Sequence, residues 1–129
     1  MGCFLSSGVD SSYTANEVRK IMKDVKTFSV GYTEKKYSEL PYAEAFSKEI
    51  GVENISNLVS ADDYFDMAAK IQYYMDEPMP NPSEVPLYFL AKNARKYVKV
   101  VLSGEGADEL FGGYPMYIQG GHFNKYSKI

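Results

Sequence analysis

The sequence has little of several residues on which common kinds of site depend. It contains one cysteine, Cys3, and one histidine, which excludes an internal disulfide and a thiolate metal cluster within one chain. No apolar run approaches the ~20 residues that a membrane span requires, and the first residues lack a signal-peptide pattern. The net charge of −3 and the pI of about 5.2 argue against a nucleic-acid-binding surface, which is usually basic. These absences favour a cytoplasmic protein that binds neither nucleic acid nor a membrane.

What the sequence does contain is an alternation of strand-like and helix-like segments. Short runs rich in apolar and β-branched residues predict strands at residues 2–6, 27–31, 54–59 and 98–102. Apolar residues at helical spacing predict helices that begin near Asp10, Glu39, Ser60 and Ser83. This order implies an α/β fold, a parallel sheet of about four strands with helices on both faces.

Local features of the helices add further expectations. The first helix has one predicted buried stripe, formed by Val18, Ile21, Met22 and Val25. Ser60 and Asp63 have the spacing of a capping box. Ser83 is a predicted N-cap for a fourth helix that would extend to about Tyr97.

A turn rich in serine separates the first strand from the first helix. It reads Leu5-Ser6-Ser7-Gly8-Val9-Asp10-Ser11-Ser12. We expect Gly8 to permit a turn that other residues resist, and the N–H groups at the start of the helix to favour a phosphate. A carboxylate beside phosphates is a sensible Mg²⁺ ligand, which is the role expected for Asp10. The alternative is a plain turn in which Asp10 is an ordinary N-cap.

A second turn, residues 103–114 (SGEGADELFGGY), follows the fourth strand and carries three acidic residues. Carboxylates next to phosphates are costly unless a cation intervenes. Asp108 is expected to cap a short helix at residues 109–111, and the alternative is a surface turn with solvated acids. Because the carboxyl ends of parallel strands share one edge, we expect Asp10 and Asp108 to meet over one metal-bound triphosphate.

These motifs resemble those of a known family. The first turn is similar to the Ser-Gly-Gly-x-Asp-Ser loop of the N-type ATP pyrophosphatases, with Ser7 where that pattern has a second glycine. Together with the second turn and residues 27–31, 76–78 and 82–83, it resembles the synthetase domain of glutamine-hydrolysing asparagine synthetase. The resemblance covers residues 3 to about 117 and implies an adenine-nucleotide α-hydrolase-like fold. With Met1 directly before the first strand, we expect a truncated ATP-pyrophosphatase domain at residues 1–117, and a tail or the start of a missing helical remainder at 118–129.

The resemblance implies a two-step reaction. ATP and aspartate give β-aspartyl-AMP and pyrophosphate, and ammonia then displaces AMP to form asparagine. In the family a glutaminase domain upstream supplies the ammonia through an N-terminal cysteine, which Cys3 is not, since it lies inside the first strand. The family domain also continues past residue 129 and supplies a lysine that helps to offset phosphate charge. A homodimer is compatible with these features.

The resemblance also assigns roles to residues of this chain. Pyrophosphate would be held by Ser6, Ser7, Gly8, Asp10 and Ser11, and Mg²⁺ by Asp10 and Asp108. The adenosine pocket would comprise Leu5, Val30, Leu87, Ser103 and Gly104. The catalytic acids would be Glu105, Asp108 and Glu109. Two other functions stay open: a β-lactam synthetase-like or other adenylating ATP pyrophosphatase, and a catalytically inactive nucleotide-binding module.

Overall fold

Four parallel strands form one sheet in the computed structural model, which describes residues 1–78 and 81–117. The strands are β1 (Gly2–Phe4), β2 (Lys26–Tyr32), β3 (Glu53–Val59) and β4 (Val101–Leu102). Their order is β3-β2-β1-β4, and every neighbouring pair is parallel. The predicted parallel sheet is therefore confirmed.

Helices cover both faces of this sheet, as the sequence predicted. They are α1 (Val9–Ile21), α2 (Leu40–Glu49), α3 (Ala61–Met75), α4 (Glu84–Ala94) and α5 (Ala107–Phe111). On one face Cys3 of β1 lies in a buried cluster with Val18 of α1 and Ala43 of α2. On the other face Phe28 of β2 packs with Leu90 of α4. The two clusters lie on opposite faces because successive side chains of a strand point to opposite sides.

The predicted capping box at the start of α3 is confirmed, whereas the predicted burial of Ile21 in α1 is wrong. The Ser60 hydroxyl accepts from the Asp63 N–H, and the Asp63 carboxylate accepts from the Ser60 N–H, both at 3.1 Å, so the capping box is confirmed. Ile21, however, is 84% exposed. Burial on α1 centres on Ala15 and Val18, and Ile21 lies off that stripe because each residue turns the helix by about 100°.

Two further boundaries differ from the sequence reading. Helix α4 ends at Ala94 rather than near Tyr97, and Ser83 occupies its N-cap position without a side-chain capping bond. Strand β4 begins at Val101 rather than at residue 98. Within the described residues β4 pairs with β1, where Gly2 and Cys3 are the partners of its two residues.

The chain reverses its direction across the sheet at β1. It passes from β1 outward to β2 and β3, and then returns to place β4 on the other side of β1. In open parallel sheets the crevice at such a switch point, outside the carboxyl ends of the strands, is where ligands bind. The serine-rich turn follows β1 and the acidic turn follows β4, so both border this crevice.

Across the two described ranges, no helix is long and apolar enough to cross a bilayer. The predicted tail at residues 118–129 lies outside the described residues.

Candidate functional site

A cavity of about 280 Å³ opens at the switch point between β1 and β4. Twelve of the thirteen residues predicted for the site line it, and Ser7 is the exception. The twelve are Leu5, Ser6, Gly8, Asp10, Ser11, Val30, Leu87, Ser103, Gly104, Glu105, Asp108 and Glu109. Turns that are almost a hundred residues apart in the chain are therefore walls of one cavity.

The two turns touch at Gly104. A β-carbon built on Gly104 would lie 2.9 Å from the Asp10 Cβ and 3.0 Å from the backbone nitrogen of Ser11. Both distances are well below the 3.5–4.0 Å of a normal contact. Only glycine lets the acidic turn approach the first turn of α1 this closely, and this approach brings Asp10 to the same cavity as Asp108.

Hydroxyl groups hold the serine-rich turn in shape from inside. The Ser11 hydroxyl donates to the Gly8 carbonyl at 3.1 Å and lies 2.8 Å from the Ser6 hydroxyl. Because Ser11 has one hydroxyl proton, Ser6 is the donor in the second bond. The Ser6 oxygen in turn accepts from the Gly8 N–H at 3.1 Å. The turn is thus fixed by its own serines before any ligand binds.

Glycine at residue 8 is not needed for its backbone freedom, and a larger residue there would meet the Ser6 hydroxyl. Gly8 has φ −73° and ψ 151°, an extended conformation open to any residue, so the expectation of a special turn there is wrong. A β-carbon on Gly8 would lie 3.3 Å from the Ser6 oxygen. The small residue therefore leaves room for the hydroxyl network and for a ligand approaching the backbone.

In the acidic turn, glycine fills the position that was predicted for Asp108. Gly106 is the N-cap of α5, with φ +89° in the left-handed region that favours glycine. Asp108 lies within the first turn of α5, so the prediction that it caps the helix is wrong. A β-carbon on Gly113 would collide with the Asp108 carboxylate. The Gly112-Gly113 pair thus leaves space for this carboxylate at the cavity.

Tyr114 holds Glu109 at the rim of the cavity. Its hydroxyl donates to the Glu109 Oε1 at 2.8 Å, and both residues line the cavity. This hydrogen bond is the main cause that raises the pKa of Tyr114 to about 12. Tyr114 is therefore a neutral donor at physiological pH, and it fixes the direction of one predicted catalytic acid.

The cavity has four carboxylates and, among the described residues that line it, no lysine or arginine. The carboxylates belong to Asp10, Glu105, Asp108 and Glu109. No three acidic, histidine or cysteine side chains in the described part of the chain are grouped to hold a metal ion. Two carboxylates at one cavity suit Mg²⁺, which typically uses one or two carboxylates and completes its shell with phosphate oxygens and water.

One end of the cavity is apolar. Leu5 is buried and Leu87 is 43% exposed, so the latter offers a free surface. Sequence reasoning missed Phe4 and Leu90 in this region. Both belong to the hydrophobic core on the α4 face, and the apolar pattern that marks them as core residues does not show which of them borders a cavity.

Ser7 points away from the cavity, toward α2. Its backbone N–H and its hydroxyl both donate to the Glu39 Oε2, at 3.2 and 2.7 Å. Glu39 is the residue immediately before α2. No sequence signal marked Glu39, because its contact with Ser7 spans 32 residues and depends on where α2 packs.

Comparison with known families gives a match over almost the whole chain. The family model described as asparagine synthase matches residues 1–127. Asparagine synthetase [glutamine-hydrolyzing] 1 of Bacillus subtilis is 45% identical over 117 residues, which are 91% of this chain and 18% of that protein. A putative asparagine synthetase [glutamine-hydrolyzing] 2 of Methanocaldococcus jannaschii is 36% identical over 93% of this chain and 24% of its own length. The chain thus spans about a fifth of the length of these relatives.

Solved structures share the fold at low sequence identity. A glutamine-dependent NAD+ synthetase from Acinetobacter baumannii, solved with adenosine diphosphate, aligns with a TM-score of 0.60 and 17% identity over 91% of this chain and 24% of that one. NMN synthetase from Francisella tularensis aligns with a TM-score of 0.59 and 13% identity over 88% of this chain and 48% of its own. The predicted adenine-nucleotide α-hydrolase-like fold is confirmed.

Proposed function

This chain belongs to the asparagine synthase family, and from that premise we propose that its cavity binds ATP for the activation of aspartate. The reaction of the whole protein would form β-aspartyl-AMP with release of pyrophosphate, and ammonia derived from glutamine would then displace AMP. The protein would be an AMP-forming amide ligase of asparagine biosynthesis. A glutaminase domain upstream, a homodimer and a cytoplasmic location remain predictions.

One observation carries the proposal: Gly104 packs directly on Asp10. This contact joins the serine-rich turn and the acidic turn into one cavity at the switch point of the sheet. The serine-rich turn offers the N–H groups at the start of α1, which favour phosphate. Asp10 of this turn and Asp108 of the acidic turn offer two carboxylates that would hold a cation beside that phosphate. The contact is what brings these two carboxylates to one cavity.

Different residues of the chain would bind different parts of ATP. The apolar end, with Leu5, Val30 and Leu87, would contact the adenosine, and Ser103 and Gly104 would offer backbone hydrogen bonds. Ser6, Gly8 and Ser11 would hold the β- and γ-phosphates; Ser7, to which the resemblance gives the same role, does not line the cavity. An aspartate carboxylate oxygen would attack the α-phosphorus while the bond from the α-phosphorus to the β-phosphate oxygen breaks.

The negative charge of the leaving pyrophosphate explains the roles that we assign to the acidic residues. Holding the leaving pyrophosphate still keeps the α-phosphorus in line with the attacking oxygen. Asp10 and Asp108 would hold Mg²⁺, whose charge stabilises the pyrophosphate as it leaves. Glu105, which matches a family position linked to forming the aspartyl-adenylate, and Glu109 are both exposed at the cavity rim and would act in that step. These placements rest on the family resemblance and on the shared cavity.

Calorimetry with Mg–ATP tests the binding step on the 129-residue chain. We expect binding that is at least about tenfold weaker in Asp10→Asn and when EDTA removes Mg²⁺, because a phosphate beside four carboxylates then lacks its cation. Asp24→Asn is the matched control, since Asp24 precedes β2 at the opposite edge of the sheet. Unchanged binding in Asp10→Asn would remove the metal assignment.

Pyrophosphate release from ATP tests the chemical step. We expect release that depends on aspartate and is not supported by glutamate or by the β-amino acids used in β-lactam synthesis. Release with another amino acid would instead favour a different adenylating enzyme. Mg–ATP binding without any release would identify the isolated chain as a binding module of a larger enzyme.

A further inference from the structure

Ser7 and Glu39 form a contact that the proposed reaction does not use. Both donors of Ser7 converge on one carboxylate oxygen of Glu39, at 3.2 Å from the N–H and 2.7 Å from the hydroxyl. The hydroxyl bond is short, as expected for a hydrogen bond to an ionised acceptor. The contact ties the serine-rich turn after β1 to the start of α2.

The neighbours of Ser7 face the opposite way. Ser6 and Gly8 line the cavity, whereas Ser7 between them does not. On the inner side the turn is held by the Ser6–Ser11 hydroxyl bond, and on the outer side by Glu39. If Ser7 turned inward, the peptide groups on either side of it would turn as well. The outward direction of Ser7 therefore fixes where the Gly8 N–H and the Ser6 hydroxyl lie.

We propose that Glu39 is a positioning residue for the phosphate-binding turn. It holds Ser7 outward, so that the backbone of the turn, and with it the N–H groups at the start of α1, has its phosphate-binding shape before the ligand arrives. Ser7 on this view anchors the turn and does not itself contact pyrophosphate. The inference rests on the proposed function, because it assumes that the turn binds the phosphates of a nucleotide.

Substitutions at Ser7 and Glu39 separate the two hydrogen bonds of this contact. Ser7→Gly keeps the N–H bond to Glu39 and loses the hydroxyl bond. Ser7→Ala does the same without adding backbone freedom. Glu39→Gln keeps an acceptor oxygen, and Glu39→Ala removes both bonds. The four variants thus range from a conservative change of the acceptor to the loss of both hydrogen bonds.

Amide hydrogen exchange measured by NMR tests the contact without any ligand. We expect the Ser7 N–H to exchange about fivefold faster in Glu39→Ala, as for the loss of one hydrogen bond, and Glu39→Gln to restore most of the protection. Glu49→Ala, which removes the same charge at the other end of α2, is expected to leave this amide unchanged. Equal exchange in Glu39→Ala and the unsubstituted chain would overturn the inference.

Calorimetry with two probes, Mg–ATP and adenosine, tests the positioning role. We expect Glu39→Ala to weaken Mg–ATP about fivefold, Ser7→Ala about twofold, and both to bind adenosine as the unsubstituted chain does. A general loss of structure would weaken both probes alike and would overturn the inference. Tighter Mg–ATP binding in Glu39→Ala would also overturn it, since Glu39 would then compete with the phosphate for the Ser7 N–H.

The two proposals fail in different ways. An unsubstituted chain that does not bind Mg–ATP would overturn the proposed function and this inference with it. Normal Mg–ATP binding in both the unsubstituted chain and Glu39→Ala would overturn only the inference.

Discussion

Gly104→Ala should separate the two turns that build the cavity. The added β-carbon would lie 2.9 Å from the Asp10 Cβ, 3.0 Å from the Ser11 nitrogen and 3.1 Å from the Asp10 carbonyl carbon. Two of these three atoms belong to the backbone of α1, so no change of side-chain rotamer relieves the collision. Gly104 does not have a positive φ, which means that the cost comes from contact alone.

The size of the effect follows from this overlap. Forcing one extra methyl group into a packed contact typically costs about 1–3 kcal/mol. If the two turns move apart to relieve the overlap, the free energy is lost from ligand binding, where about 1.4 kcal/mol corresponds to a factor of ten in affinity. We therefore expect a lower free energy of unfolding by urea denaturation, and Mg–ATP binding at least about tenfold weaker by calorimetry.

Gly51→Ala is the matched control for this prediction. Gly51 has φ +69° and nothing within 4 Å of its missing β-carbon, so alanine there costs about 1–2 kcal/mol through backbone strain alone. The residue follows α2 and does not line the cavity. We expect a similar loss of stability with unchanged Mg–ATP affinity. If Gly104→Ala bound Mg–ATP within twofold of the unsubstituted chain, the contact would not be what joins the turns.

Three further predictions concern groups around the site and the core. Burial raises the pKa of the Cys3 thiol, so its contribution to the free energy of unfolding should be fully present below the unfolded pKa and decrease as the pH rises above about 8.5; urea denaturation between pH 7 and 10 checks this, and Cys3→Ala should reduce the slope, to which the raised pKa of Tyr32 also contributes. Ser60→Ala should destabilise α3 by about 1 kcal/mol through loss of its cap, with Ser60→Thr restoring most of it, as measured by urea denaturation. The Ser60 hydrogen bonds lower the pKa of Asp63. The stabilisation that they provide should therefore be present near neutral pH and disappear as the pH falls below about 4, and Ser60→Ala should make the free energy of unfolding less dependent on pH in this range. Tyr114→Phe should leave Mg–ATP affinity within twofold and slow pyrophosphate release, because Tyr114 acts through Glu109; equal weakening of ATP binding would instead place Tyr114 against the nucleotide.

The strands and helices of this molecule can be predicted from its sequence because the local residue patterns agree with the topology of the sheet. The four apolar strand segments alternate with amphipathic helices, and parallel strands necessarily bring the turns after β1 and β4 to one edge. That rule places Asp10 and Asp108 at the same edge, and the pairing of β4 with β1 brings them to one cavity. The later start of β4 could not be predicted, because Val98, Lys99 and Val100 continue the same strand-like pattern.

The details of the site depend on contacts that no local pattern encodes. Gly106 rather than Asp108 caps α5, because the chain turns there through a left-handed conformation. The outward direction of Ser7 follows from the position of α2, which brings Glu39 within 2.7 Å of its hydroxyl. In both cases the sequence identified the turn correctly; the local backbone conformation decided the cap of α5, and the packing of a distant helix decided the direction of Ser7.

The charge of the cavity constrains how such a site can work. Asp10, Glu105, Asp108 and Glu109 make it strongly negative, and no described residue that lines it is basic. Lys35 and Lys36, the nearest basic pair after β2, are exposed and do not border it. A polyphosphate can enter only with enough positive charge to reverse the local field. Under the proposed function, the neutral donors of the serine-rich turn would set the position of the phosphates, while the carboxylates would select for a ligand that arrives together with its cation. On that proposal the two turns have different roles: the first would recognise the phosphate group, and the second would disfavour the same group without its cation.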